Sequence, residues 1–351
     1  MQYMKVEDLP SYTDVVKYLN SKHRTKHLLF GNGFSMAYDP NIFSYNALST
    51  FIDNTNNDLL KKLFSVINTK NFELIMQQLD NFIEIAKIFS NDTVLIEKII
   101  EANNVLKNSL IEAVKELHPE HVFKVSEDKS KCCHIFLNEY LSHEGKVFST
   151  NYDLLPYWIL MRNESKFAID GFGREVENPE EVLKGKEPQF SELRWGKNKD
   201  SQTVFYLHGA LPIFDTGIEV VKEVYDSQHY LLEKIHERMA SKAYPIFVTA
   251  GGAQEKLNHI MHNKYLAYCY DQFSKIEGSL VTFGFNFGEY DSHIIDAINK
   301  AAHQGQKSGS KLHSIYVGVY SDENLSYINE IKHKFLCKVN FYNAKTAGIW
   351  Q

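Results

Sequence analysis

Cysteine is scarce in this chain and poorly placed for metal or disulfide chemistry. The four are Cys132, Cys133, Cys269 and Cys337, two adjacent and two isolated. No Cys-x-x-Cys pair exists, and a structural zinc module needs paired ligands at short spacing. The reading is four reduced, structural thiols and no metal. Proline and glycine are missing altogether between Pro40 and Pro119, which removes the usual breakers of helices from that stretch. No apolar run approaches the roughly 20 residues that a spanning helix needs, so no membrane partner is expected. The leading MQYMKVEDLPSY lacks the apolar core of a secretory signal. These absences point to a cytoplasmic protein. Excess basic charge is lacking too: 38 Lys and Arg face 44 Asp and Glu, for a formal net charge of −6. A dedicated nucleic-acid binder carries a basic face, so direct nucleic-acid binding is not expected.

What is present is globular. The 351 residues are 44% hydrophobic and 23% charged, enough to bury a core in one large domain or two ordinary ones. Tyr12, Val15, Val16 and Leu19 predict a short leading helix. His27-Leu28-Leu29-Phe30 predicts a buried strand. From Asn46 to Leu117 apolar residues recur at three and four (Leu59, Leu63, Ile67; Ile75, Leu79, Phe82, Ile83; Ile99, Leu106, Leu110), which predicts an all-helical insertion after the first strand. Ile135 to Leu141 continues as helix, with Gly145 closing it, and Val147–Ser149 is the next strand. Residues 163–203 are rich in Gly, Pro, Glu and Lys and read as a long surface excursion, of the kind that can act as a lid. Further strands are expected at 204–207, 246–249, 280–283, 315–319 and 338–342, separated by helices at 225–240, 256–273 and 292–303. Alternating strand and helix implies an α/β fold: a Rossmann-like, doubly wound, mainly parallel sheet. The expected division is 1–45 for the start of that domain, 46–120 for the insertion, and 121–351 for the remainder.

Three short motifs fall at ends of these strands, where an α/β sheet binds its ligand. GNGFS supplies Gly31, Asn32, Gly33 and Ser35. Glycine lets backbone approach a pyrophosphate, and bare N–H groups can bind its oxygens; a tight strand-to-helix turn explains the same residues. The third glycine of a dinucleotide fingerprint would fall at Met36 and is absent. STNYD supplies Asn151 and Asp153, able to hold ribose hydroxyls or a water, or simply to cap the helix that follows. YLHG supplies His208, a base at neutral pH, and Gly209, which permits a sharp turn. Two more segments follow strands: Thr249 to Ala253, and Gly284-Phe285-Asn286-Phe287 with Asp291, the last read as a helix cap.

These motifs resemble those of the sirtuin superfamily. Gly31, Gly33 and Ser35 are similar to its phosphate loop, Thr150 to Asp153 to its Thr-x-Asn-x-Asp segment, His208-Gly209 to its catalytic histidine pair, and Gly284 to Phe287, with Gly284 and Asn286, to the late loop that contacts adenosine. The likeness covers about half the chain. The zinc module of the protein-deacetylating members is missing, so the chain resembles the bacterial sirtuin-like branch of antiphage defence. That resemblance implies an NAD glycohydrolase with NAD as substrate, Asn151, His208 and Asp153 catalytic, and assembly as a homo-oligomer or with a HerA-type hexameric ATPase. A sensor that binds NAD or ADP-ribose without turnover is the alternative.

Overall fold

The computed structural model describes residues 5–40, 58–67, 72–89, 93–241, 243–248, 253–303 and 311–351. Among these described residues eleven strands are numbered in chain order: β1 Lys26–Phe30, β2 Val147–Ser149, β3 Phe172–Gly173, β4 Leu193–Trp195, β5 Val204–Tyr206, β6 Gly209–Asp215, β7 Val220–Lys222, β8 Pro245–Phe247, β9 Gly278–Phe283, β10 Leu312–Val319 and β11 Lys338–Asn343. The helices used below are α1 Tyr12–Ser21, α2 Gly33–Met36, α3 Asp58–Ile67, α4 Phe72–Phe89, α5 Thr93–Leu117, α6 Glu127–Leu141, α7 Leu155–Arg162, α8 Pro179–Val182, α9 Leu231–Ala240, α10 Ala253–His262, α11 Lys264–Phe273, α12 Ser292–His303 and α13 Asp322–Ile331.

The main sheet has six strands in the order β11-β10-β9-β1-β2-β5, every pairing parallel. Taken in chain order these strands run 3-2-1-4-5-6 across the sheet, the doubly wound order in which the topology reverses beside the first strand. All five residues of β1 are buried, as expected of a central strand covered on both faces. Helix α6 packs on β1 and β2, α11 on β5, and α12 and α13 on β10. The α/β, mainly parallel reading of the sequence is the architecture observed.

A second sheet was not anticipated. It is antiparallel, in the order β3-β4-β7-β6-β8. Residues 163–203 supply two of its strands and the short helix α8, so that excursion is partly sheet. The segment near 246 is β8, an edge of this second sheet paired with β6, and not a parallel strand of the first. Gly209 makes the transition possible. Its φ of 77° is a left-handed value open to glycine, and through it the chain leaves β5 and starts β6.

Among the described residues, helices α3, α4 and α5 lie between α2 and α6 in the stretch that joins β1 to β2, and they pack on one another. Phe64, Ile75, Leu79, Ile83 and Leu106 form their buried seam. Phe82, counted in the same periodic pattern, is instead exposed, and with Ile85 and Phe89 it forms an exposed stripe on α4. Residues 46–57 and Thr249–Gly252 of the expected pocket segment lie outside the described residues. Three helix boundaries differ from expectation, the first being that of the stretch 225–240, where α9 begins only at Leu231. The stretch 256–273 is two helices, split where the Asn263 side chain accepts from the N–H groups of Tyr265 and Leu266. After α6 the left-handed residue is Glu144, with φ 59°, while Gly145 is needed because a Cβ there would lie 2.1 Å from the Lys26 carbonyl oxygen.

Candidate functional site

The adjacent strands β1, β2 and β5 end in the three motifs. Ser35 follows β1 on α2, Asn151 and Asp153 follow β2, and His208 follows β5. The strand order thus sets all three motifs at the carboxyl edge of one half of the sheet, with the β1 motif beside the point where the order reverses and the crevice opens.

The first cluster joins two of them. Ser35 Oγ donates to Asp153 Oδ2 at 2.6 Å, and Asn151 Nδ2 donates to Ser35 Oγ at 2.8 Å. Asp153 Oδ1 accepts from the Leu155 N–H at 3.0 Å, so the capping reading of Asp153 is also realised at the start of α7. Ser35, Asn151 and Asp153 are all buried. Burial pushes the Asp153 carboxyl up to about 6, against the hydrogen bonds from Ser35 and Leu155 that favour its ionised form. Asn151 Oδ1 is buried with no hydrogen-bond partner among the described residues. A buried amide oxygen left unpaired is costly, and it is available to a ribose hydroxyl or a water.

The glycine turn is used differently from the sequence expectation. The Gly31 N–H is bonded to the Phe283 carbonyl and the Gly33 N–H to the Gly284 carbonyl, at 3.1 and 2.9 Å. A Cβ on Gly33 would sit 2.5 Å from Gly284 Cα, and one on Gly31 would sit 2.7 Å from the Phe285 ring. The close backbone approach that glycine permits here is made to the β9 loop. Asn32 remains partly exposed at the lip. On the β9 loop Asn286 is exposed and accepts from Asn324 Nδ2 at 2.8 Å. The β9 loop is held in an unusual shape: Gly284 has φ 61° and the buried Phe287 has φ 50°, a value rare outside glycine. Tyr327 Oη donates to the Phe287 carbonyl at 2.9 Å and pins it.

The match that decides kinship covers this whole arrangement. The profile of a family described as Domain of unknown function (DUF4917) matches residues 28–350. The chain belongs to the DUF4917 family. The matched region starts inside β1 and ends at Trp350, so both sheets and the helical segment between β1 and β2 fall within it. Comparison with curated proteins finds no match.

The second cluster of this DUF4917 protein surrounds His208. Its Nε2 lies 2.9 Å from Nε2 of His293, a residue the sequence reading passed over. Lys256 Nζ donates to Asp291 Oδ1 at 2.7 Å, and Lys256 is buried. Ligand-type atoms of His208, Asp291 and His293 lie within 4.8 Å of one another. Asp291, expected as a helix cap, is half of an ion pair with the buried Lys256. Burial pushes the His208 imidazole well below its ordinary value, and the neighbouring His293 and Lys256 add to this. Burial likewise takes His293 down to about 4, with Asp291 opposing and Lys256 assisting. Both rings are neutral at physiological pH. The polar contacts of His208 run to His293 and, through its carbonyl, to the Val248 N–H; those of Asn151 run to Ser35 and Ser149. The sequence motifs thus form two clusters, one spanning the loops after β1 and β2, the other spanning β5, α10 and the start of α12.

No helix among the described residues is long and apolar enough to cross a membrane. The four cysteines are free thiols.

Proposed function

We propose that this DUF4917 protein is an NAD glycohydrolase that cleaves the nicotinamide–ribose bond to give nicotinamide and ADP-ribose. The observation that carries the reading is the placement of Ser35, of Asn151 with Asp153, and of His208 directly after three adjacent parallel strands. Cleavage passes through an oxocarbenium-like state, as in glycoside hydrolysis. The cationic nicotinamide ring leaves as a neutral molecule, so the site needs no strong general acid. It needs a positioned water, polar contacts to ribose and a proton acceptor. Asn151 Oδ1 is the buried acceptor that holds the water or a ribose hydroxyl. Asp153 and Ser35 fix the Asn151 amide. His208, neutral at working pH, takes the proton as water adds to the ribose carbon. Because the Gly31 and Gly33 N–H groups are bonded inside the protein, contact with the pyrophosphate falls to Asn32, and contact with the adenosine half to Asn286.

The protein would act in the cytoplasm as an NAD-depleting effector of antiphage defence, as a homo-oligomer or beside a HerA-type ATPase. Chromatographic measurement of NAD loss tests the activity, on purified protein and in cells expressing it under phage challenge. Wild type is expected to release nicotinamide, and Asn151→Ala and His208→Ala to be slower by about a hundredfold or more. Equal rates for wild type and both variants would remove these residues from the mechanism. NAD bound and intact after prolonged incubation, in every condition, would favour the sensor.

A further inference from the structure

One ring nitrogen of His208 is already engaged. The His208 and His293 rings lie 5.2 Å apart between centroids, tilted by 29°, with their Nε2 atoms 2.9 Å apart. Such a contact holds one proton: one ring donates N–H and the other accepts on a lone pair. Two neutral imidazoles satisfy this and two imidazolium ions cannot. The charged and titratable groups acting on the pair are Asp291, Lys256 and His259. His293 Nδ1 is buried without a partner among the described residues, so the tautomer of His293 is set by His208 alone.

We propose that His293 is a positioning residue for His208: it accepts the Nε2 proton of His208, fixes that ring's orientation and tautomer, and leaves His208 Nδ1 as the atom that faces the nucleotide. The inference rests on the reading of His208 as the base. A base needs a bare nitrogen, and with Nε2 facing His293 only the Nε2–H tautomer leaves Nδ1 bare. The proton traffic then balances. An O–H bond of the attacking water breaks and an N–H bond forms at His208 Nδ1. The Nε2–H bond of His208 breaks and an N–H bond forms at His293 Nε2. The positive charge arrives on His293, where the Asp291 carboxylate acts against the burial that lowers the ring's basicity, and His208 is neutral again. In hydrolytic triads a carboxylate orients and supports the catalytic imidazole; here the group that touches His208 is a second imidazole, and the nearby Asp291 carboxylate is bonded to Lys256.

The same three side chains have the composition of a two-histidine, one-carboxylate metal site. Lys256 weighs against a dication there. Its buried ammonium is bonded to the Asp291 carboxylate, and a like charge so close repels strongly where water is excluded.

The test combines tautomer and rate. Protein labelled with 15N-histidine is measured by long-range proton–nitrogen correlation, with His208→Gln and His293→Gln used for assignment. His208 is expected as the Nε2–H tautomer in wild type and in His293→Gln, whose side-chain oxygen still accepts, and as a mixture in His293→Leu. In NAD cleavage, His293→Leu should lose about a hundredfold in kcat with KM within about twofold, the pattern of a lost transition-state interaction. His293→Gln should recover most of that loss. The proposal is overturned if wild-type His208 carries its proton on Nδ1, or if the Leu and Gln variants match each other in tautomer and rate. It is also overturned if wild type binds one equivalent of zinc or manganese that His293→Leu loses. The tautomer measurement needs no turnover. A wild type that never cleaves NAD would sink the proposed activity, while the nitrogen shifts would still decide the role of His293.

Discussion

Ser35 and Asp153, 118 positions apart in the chain, share a buried hydrogen bond of 2.6 Å that ties the loop after β1 to the loop after β2. The bond serves folding and site together. It orients the hydroxyl that accepts from Asn151, and so aims the free Asn151 oxygen. Ser35→Ala removes one partner from each of two buried polar groups, and is expected to destabilise the protein by about 1–3 kcal/mol. Urea unfolding measures this, and an unchanged midpoint would mean that the tie contributes nothing.

The same pair sets a pH dependence. The folded Asp153 carboxyl sits at about 6 against 3.8 for the free group, chiefly through burial. The folded state therefore holds its proton more tightly than the unfolded chain does. Between pH 4 and 6 the native form binds more protons, so its stability falls as pH rises through that window and is level above it. Two units correspond to about 3 kcal/mol. Relative to Asp153→Asn, wild type should lose stability on going from pH 4 to 6; a constant difference would refute the assignment.

Buried histidines act in the opposite direction. Burial holds His27, His118 and His293 at about 4, below the 6.5 of the free side chain. Each binds its proton more readily when unfolded. Stability present above pH 6.5 is therefore lost as pH falls toward 4, by up to about 3 kcal/mol for each ring. His118 is the cleanest probe, because its Nε2 accepts the Leu154 N–H at 2.8 Å and takes no part in the proposed chemistry. In His118→Gln, thermal unfolding followed from pH 7 to 4.5 should be less steep in pH than in wild type.

All six strands of the main sheet were legible because strands buried within a parallel sheet read as continuous apolar stretches between turns. The second sheet was not. Pro212 interrupts β6, and proline demotes a strand in any pattern reading; the β6–β8 register shifts between Gly209 and Phe214. β3, β4 and β7 have two or three residues each, too few for a period. The motif residues after β1, β2 and β5 were found by their position at strand ends. His293 was missed because its partner lies 85 residues away and no local spacing marks the contact. Its only signal was polarity, in Asp291-Ser292-His293, where apolar residues open the next helix.

The glycines of the first turn predict a structural phenotype that can be mistaken for a functional one. A Cβ at residue 33 would meet backbone atoms of Gly284 and not a flexible side chain, so something must shift. Gly33→Ala should destabilise the fold by about 1–3 kcal/mol and weaken nucleotide binding only through that loss. Calorimetry at a temperature where the variant is fully folded separates the two effects. Normal stability with abolished ADP-ribose binding would restore the phosphate-loop role to Gly33.

Lys222 gives a test of the second sheet. It lies on β7 at the edge of a pocket of about 230 Å³ lined also by Tyr157, Asp170 and Tyr206. Its ammonium pairs with Asp170 and lies 4.8 Å from the centre of the Tyr157 ring and 5.2 Å from that of Phe172. The pair joins the segment between α7 and β3 to β7, and so fastens the 163–203 excursion to the sheet. Asp170→Asn leaves a buried cation with ring faces and a neutral amide for company. Breaking a buried pair from one side costs about 3–5 kcal/mol, and the partial exposure of Asp170 places this case at the lower end. Removing both charges at once, in Asp170→Leu with Lys222→Met, deletes the desolvation cost along with the attraction and should be closer to wild type than the single variant is. Chemical unfolding of the three proteins decides it: a double variant less stable than the single one would mean that the pair is held by more than its own charges.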